Sequence, residues 1–310
     1  MAELLVLPLA LALDLAWGEP PRPVHPVVGM GKVIAWLERG SRPARSPRAR
    51  LAYGVGMALL AVTLFTIPVY LLLSYLRVLS PVAYVLVAAL LFKTTFSLKE
   101  LRRAARRVRD SLEDGQLARA RLELRALVSR DTEGLSEPLA VSAAVESVAE
   151  NAADSLVAPL FYYLFFGVAG AVAYRVVNTL DAMVGYHGGY EHLGKFAARL
   201  DDVLNYLPAR LAGLLLVGAV GVTGGPAARS WRTMRAGHAR TESPNAGWPM
   251  AAMAGGLVVT LHKVGHYRLG EGRLPVPRDI GAALRLVLVA ALTWALVVMI
   301  AEVVGYALAA

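Results

Sequence analysis

The sequence predicts an all-α fold: a polytopic α-helical membrane protein with amphipathic cytoplasmic helices and re-entrant segments as an open element. Three observations predict it. Of the 310 residues, 56% are hydrophobic and the mean hydropathy is +0.51, above the roughly 45–50% apolar content of soluble domains. Ser155 to Tyr174 carries no charge over about 20 residues, the length that crosses a hydrocarbon core. Leu51 to Leu76 and Ala283 to Ala310 are as long, with Arg285 and Glu302 the only charges in the latter.

Leu4 to Leu13 is a shorter apolar stretch ending at Asp14. It lacks the basic start and small-residue cleavage site of a signal peptide, so it is expected to be retained. A basic, proline-rich block follows from Gly18 to Arg50, with Arg22, Lys32, Arg39, Arg42, Arg45, Arg48 and Arg50. Leu51 to Leu76 then runs out and Val78 to Phe92 returns, an apolar hairpin with only Arg77 at its tip. The second basic block, Lys99 to Arg130, therefore lies on the same side as the first. By the positive-inside rule that side is the cytoplasm.

In the second block Leu98, Leu101, Ala105, Val108 and Leu112 recur at helical steps with arginines opposite. Asp114-Gly115 interrupts the pattern and Leu117 to Val128 resumes it. Residues 98–130 are thus expected to form an amphipathic cytoplasmic helical hairpin, lying on the membrane or packing on other helices, within a single integral membrane domain over 1–310. No alternating run suggests a sheet. Val203 to Val222 is apolar apart from Asn205 and Arg210, and Ala246 to Leu261 is short for a crossing. If every apolar stretch alternates, 178–202 faces outside; if one is re-entrant, it faces the cytoplasm.

The net charge of +9 fits positive-inside loops, anionic lipid or a phosphate-bearing substrate. The aromatic residues lie in apolar segments, so nucleic acid is not an expected partner. The absence of cysteine excludes disulfides, thiolate metal sites and Cys nucleophiles.

The densest chemistry precedes the Ser155–Tyr174 stretch. Glu146, Glu150 and Asp154 are spaced four apart, an acidic stripe on an otherwise apolar helix beside Asn151. Like charges at that spacing repel, and a cation among them resolves the repulsion; magnesium prefers carboxylate oxygens and water. The plainer reading is a solvated face near a helix start. Asn178 and Asp181 are three apart, and Asp202 and Asn205 repeat the spacing in reverse. Each pair presents two oxygen ligands on one face, although helix capping explains single members as well. Ser243-Pro244-Asn245 reads as an N-cap and first turn opening the 246–261 stretch, and such a helix mouth attracts anions. Two lookalikes carry nothing. Gly189 to Lys195 has phosphate-loop spacing but Phe196 follows the lysine, and His262 and His266 lack the glutamate of a zinc-protease pair.

Four blocks together resemble the adenosylcobinamide-phosphate synthase family of cobalamin biosynthesis. They are LDLAWGEPPRPVHPVVGMGKVIAWLE at 13–38, SRDTEGLSEPLAVSAAVESVAENAADSLVAPLFYYLFFG at 129–167, AYRVVNTLDAMVGY through RLDDVLNYLPARL at 173–211, and SPNAGWPMAAMAGGL with YRLG at 243–257 and 267–270. In order they cover nearly the whole chain. Glu19 departs from the pattern, standing where an aspartate is expected. The resemblance implies a multi-pass protein of the cell membrane with its site facing the cytoplasm. It also implies an ATP- and Mg2+-dependent ligation of the propionate of adenosylcobyric acid, a corrinoid, to aminopropanol or its O-phosphate. On the matching positions it implies Glu146, Glu150, Asp154, Asp181 and Asp202 as metal ligands or catalytic carboxylates, with Asn178 and Asn205 beside them. Arg130, Lys195, Arg199 and Arg210, with Ser243 and Asn245, are implied for phosphate or substrate, and His25 as proton acceptor for the amine. Association with other cobalamin-pathway enzymes is left open. The competing class is a transporter or sensor that binds ions without ligation; it would be expected to show paired halves, and none are visible.

Overall fold

A computed structural model describes residues 2–21, 23, 25–41, 46–186 and 190–309. Arg22, Arg42 and Arg45 of the first basic block, and Gly189 of the phosphate-loop lookalike, lie outside the described residues.

The helices follow in order as α1 (Val6–Trp17), α2 (Pro26–Arg39), α3 (Pro47–Leu79), α4 (Pro81–Lys93), α5 (Leu98–Glu113), α6 (Leu117–Leu124), α7 (Glu137–Ala152), α8 (Ala158–Val184), α9 (Lys195–Leu204), α10 (Tyr206–Val222), α11 (Ala227–Gly237) and α12 (Gly247–Leu257). Strands β1 (Leu261–Lys263) and β2 (Tyr267–Leu269) precede α13 (Pro277–Ala309). Among the described residues four helical stretches are long and apolar enough to cross a membrane: Pro47–Leu79, Pro81–Glu113, Glu137–Val184 and Pro277–Leu308. In the second of these only α4 is apolar; α5 is strongly amphipathic. Lys195–Leu204 and Tyr206–Val222 pass only as a broken pair, which would make a fifth. The protein is thus an all-α, multi-pass membrane protein, as its hydropathy predicts.

The described residues form two compact units. The first comprises Met1–Ser97, Ala158–Leu204 and Val297–Ala310. Its α3/α4 hairpin is set by two Ser-Pro starts. Ser46 Oγ accepts from Ala49 N at 3.2 Å and Ser80 Oγ from Ala83 N at 3.3 Å, with proline at the first helical position each time. Close backbone approach then fixes α8 and α9. A Cβ added to Gly194 would meet Val184 O at 1.6 Å, and one added to Gly54 would meet Leu193 O at 2.0 Å. Gly194→Ala is therefore expected to destabilise by about 1–3 kcal/mol, seen as a lower midpoint in thermal denaturation. Gly56→Ala, with nothing within 4 Å of its added Cβ, should leave the midpoint nearly unchanged.

The second unit comprises Leu98–Val157 and Asn205–Leu296. Its core is built on α7, where every residue from Ala140 to Ala149 is buried. Against it lie Leu98, Leu101, Ala105, Val108 and Leu112 of α5, so the amphipathic face of the 98–130 hairpin packs on protein. Helices α11 and α12 approach through small residues: Ser230 Oγ donates to Ala252 O at 2.7 Å, and a Cβ on Gly255 would lie 2.7 Å from Thr233.

Three local expectations are corrected. Ala246–Leu261 is not one apolar segment: α12 stops after 11 residues, about 16 Å, and antiparallel β1 and β2 follow. Gly265 at φ 78° closes their three-residue loop. The strands are too short for an alternating pattern to show. Ser243 does not open α12 directly; its Oγ accepts from Asn245 N at 3.2 Å and Ala246 N at 3.3 Å, capping a turn before Gly247. The Glu146–Glu150–Asp154 stripe is not continuous, because Ala153–Val157 is π-helical and Asp154 falls in the widened turn.

Candidate functional site

The polar residues of α7 converge on Glu146, which is almost fully buried. Its Oε1 accepts from Ser142 Oγ at 2.7 Å; its Oε2 accepts from Arg130 Nη2 and Tyr267 OH, each at 3.1 Å. The core packing of α7 fixes the carboxylate, the segment after α6 supplies Arg130, and β2 supplies Tyr267. The hairpin is tied to the same point, since His262 N donates to Ser142 Oγ at 2.6 Å. Glu146 thus accepts three hydrogen bonds, and burial together with its charge pushes the Tyr267 phenol above its ordinary range, keeping it a donor.

Beside this hub lies a cavity of about 160 Å³ lined by Ser129, Arg130, Glu146, Glu150, Lys263 and Tyr267, among others. Glu150, one turn beyond Glu146, is half-buried. Arg130 offers one nitrogen to Glu146, while its buried Nε has no hydrogen-bond partner. Lys263 lies 5.9 Å from the centre of the Tyr267 ring. The cavity therefore carries two cations and two carboxylates. Further along, Asn151 Nδ2 donates to Ser147 O at 2.9 Å and its Oδ1 accepts from Ser155 Oγ at 2.9 Å. Asp154 is half-buried.

Arg210, Ser243 and Asn245 also come together in this unit, Asn245 buried and the other two half-buried. The Arg210 guanidinium lies 3.5 Å from the Tyr206 ring centre and 4.9 Å from that of Trp248, and Nη1 donates to Asn245 Oδ1 at 3.3 Å. Asn205, just before α10, is buried.

In the first unit the end of α8 faces α9. Arg175 Nη1 donates to Asn178 Oδ1 at 3.3 Å, and Asn178 Nδ2 donates to Asp201 Oδ1 at 3.4 Å. Asp181 lies near the end of α8 and Asp202 on α9, where Arg199 Nη1 lies 3.6 Å from Asp202 Oδ2. Lys195 is exposed at the start of α9. Asp201, overlooked in the sequence because Asp202 completed the spacing, is part of this group.

The same unit holds a cluster that spacing does not disclose. Lys93, at the end of α4, lies 3.3 Å from Asp14 Oδ1 and 2.9 Å from Glu19 Oε1; the lysine and Asp14 side chains are only 5% and 1% exposed. His25 caps α2, its Nδ1 accepting from Val27 N at 3.1 Å. The ring hydrogen therefore sits on Nε2, which contacts Glu19 Oε2. Neither nitrogen is left to take a proton from a substrate amine, which corrects the role expected for His25. Burial alone would raise the Glu19 carboxyl, but hydrogen bonds from His25, Ser97 and Lys93 outweigh it and hold it at about 2 instead of 4.5. A lowered folded value stabilises the fold above the unfolded value, and that contribution is lost as pH falls from 4.5 through 2. Thermal melts of wild type should weaken across that window, and Glu19→Gln should flatten the dependence.

Among the described residues no three Asp, Glu or His side chains converge as a ready-made metal cage. Magnesium does not require one, since it is commonly held by one or two carboxylates with waters and substrate phosphates.

The family described as CobD/Cbib protein matches this chain over residues 7–287. The chain is 49% identical over 299 residues to the cobalamin biosynthesis protein CobD of Dehalococcoides mccartyi, covering 96% of both chains. It is 42% identical to that of Chromobacterium violaceum over 93% of both. It is 41% identical to the probable cobalamin biosynthesis protein CobD of Methanothermobacter thermautotrophicus, over 87% of this chain and 88% of the other. No solved structure matches it. A match across nearly the whole length, including every block that carries the polar clusters, establishes that the chain belongs to the CobD/Cbib protein family.

Proposed function

We propose that this protein serves cobalamin biosynthesis as an ATP- and Mg2+-dependent carbon–nitrogen ligase of the cytoplasmic membrane. It joins the propionate of adenosylcobyric acid to aminopropanol O-phosphate, with aminopropanol itself as the alternative acceptor, and its site faces the cytoplasm. Family membership supports the pathway. The observation that carries the chemistry is the cavity beside Glu146.

At about 160 Å³ this cavity is far too small for a corrinoid or a whole nucleotide. Its charges match a small zwitterion instead. Arg130, with its free Nε, and Lys263 would hold the phosphate, and Glu150 would hold the ammonium group. Glu146 is a positioning residue: its Oε2 aims Arg130 and Tyr267 and its Oε1 is held by Ser142. An ammonium ion is not a nucleophile, so a base must take its proton before nitrogen attacks the activated acyl carbon. Glu150 is placed for that, the proton leaving nitrogen as the C–N bond forms and the C–O bond to the activating group breaks. ATP supplies the activation of the carboxylate. Asp181 and Asp202, with Asn178, are the proposed magnesium ligands, magnesium supplying charge neutralisation of phosphate oxygens. Lys195 and Arg199 of α9 are proposed phosphate contacts.

The acceptor assignment is tested by steady-state kinetics with both amines. Arg130→Gln and Lys263→Gln should raise KM for aminopropanol O-phosphate by about tenfold or more and leave that for aminopropanol within about twofold. Equal effects on the two amines would remove the phosphate from this cavity.

A further inference from the structure

A second cavity in the same unit carries charge that the proposed reaction does not use. It measures about 380 Å³ and lies between α5 and the start of α13, lined by Arg102, Arg106, Arg109, Arg278 and Arg285, with Glu113. Arg109 is held by Asp110 at 2.5 Å and lies 3.8 Å from Glu113. Its guanidinium lies over Gly281, where an added Cβ would come within 3.4 Å of Nη1. Among the described residues Arg102, Arg106, Arg278 and Arg285 have no ion-pair or hydrogen-bond partner. The nearby Asp279 is paired instead with Arg273, from which both its oxygens accept at 2.7 Å.

Such a concentration of unneutralised guanidinium groups favours a multiply charged anion. What surrounds it selects the kind. Arg285 sits about two turns inside α13, a stretch apolar enough to cross the bilayer, so the groove opens at headgroup level. Below it Leu284, Leu288, Leu292 and Leu296 repeat every four residues along one slowly drifting face. Leu284 is buried in the groove, whereas Leu292 and Leu296 are more than half exposed, a path suited to acyl chains. A soluble phosphate would use the arginines and leave that stripe unexplained.

We propose that this groove is a binding site for an anionic phospholipid, the headgroup phosphate on Arg102, Arg106, Arg278 and Arg285 and an acyl chain along α13. The full chain in nanodiscs of phosphatidylcholine with about 10% phosphatidylglycerol or cardiolipin, released into mild detergent, is read by native mass spectrometry for retained lipid. Wild type should retain anionic over zwitterionic lipid by at least about tenfold relative to the bilayer. The variant R102Q/R106Q/R278Q/R285Q should lose that preference, and R278Q/R285Q alone should reduce it should the quadruple variant misfold. R103Q/R107Q/R119Q/R125Q removes the same charge from exposed positions outside the groove and should keep the preference. No enrichment in wild type, or equal loss in the groove and control variants, would overturn the site. Displacement of the lipid by about 10 mM inorganic phosphate or pyrophosphate would assign the arginines to a soluble anion and overturn the lipid assignment.

Discussion

Lys93→Met is expected to destabilise the protein by about 3–5 kcal/mol, the usual cost of removing one partner from a buried ion pair. The lysine lies between Asp14 and Glu19, and the substitution leaves the buried Asp14 carboxylate without this cation and Glu19 with His25 and Ser97 alone of its three side-chain donors. Methionine preserves most of the side-chain volume, so lost packing contributes little. The denaturation midpoint in detergent reads the effect. Combining Lys93→Met with Asp14→Asn should recover part of the loss, and the difference between the double change and the sum of the singles isolates the pair. A midpoint unmoved by Lys93→Met would show that the cluster contributes nothing to stability.

Glu150→Gln is expected to lower ligation by about 10²–10⁴-fold, the usual worth of a positioned acid–base group, with little change in stability. Glutamine keeps the size and a hydrogen-bonding carbonyl but cannot take a proton from an ammonium ion. Glu146→Gln should behave differently. It weakens the contacts to Arg130 and Tyr267, so both the midpoint and KM for the phosphorylated amine should shift. A Glu150 variant with full turnover would move the base elsewhere.

The contrast between these two predictions follows what the sequence does and does not disclose. The apolar hairpin, the amphipathic α5 and the acidic residues of α7 are legible because hydropathy and helical spacing are local properties. The separate tasks of Glu146 and Glu150 are not, since Tyr267 and Lys263 reach them only through a hairpin whose three-residue strands carry no periodic signal. Tyr267 falls within the YRLG block, and Lys263 stands in a histidine pair where a zinc-protease glutamate would be needed. The Asp14–Lys93–Glu19 cluster joins segments far apart in sequence. Its one local trace is a lone lysine closing the uncharged run from Val78 to Phe92. The π-helical turn at Ala153–Val157 likewise leaves no mark in spacing, so Asp154 reads as a continuation of the stripe. Spacing pairs Asn178 with Asp181 and Asp202 with Asn205, whereas Asp201, which accepts from Asn178, stands outside that spacing and carries no local signal.

The most direct test is amide formation by the purified, detergent-solubilised protein from adenosylcobyric acid and aminopropanol O-phosphate, followed with ATP and Mg2+ present or withheld. The account predicts stoichiometric amide product and ATP cleavage in the complete mixture, and neither when ATP or magnesium is left out or when Glu150 is glutamine. Binding of the corrinoid without product, or product formed equally well without ATP, would contradict it.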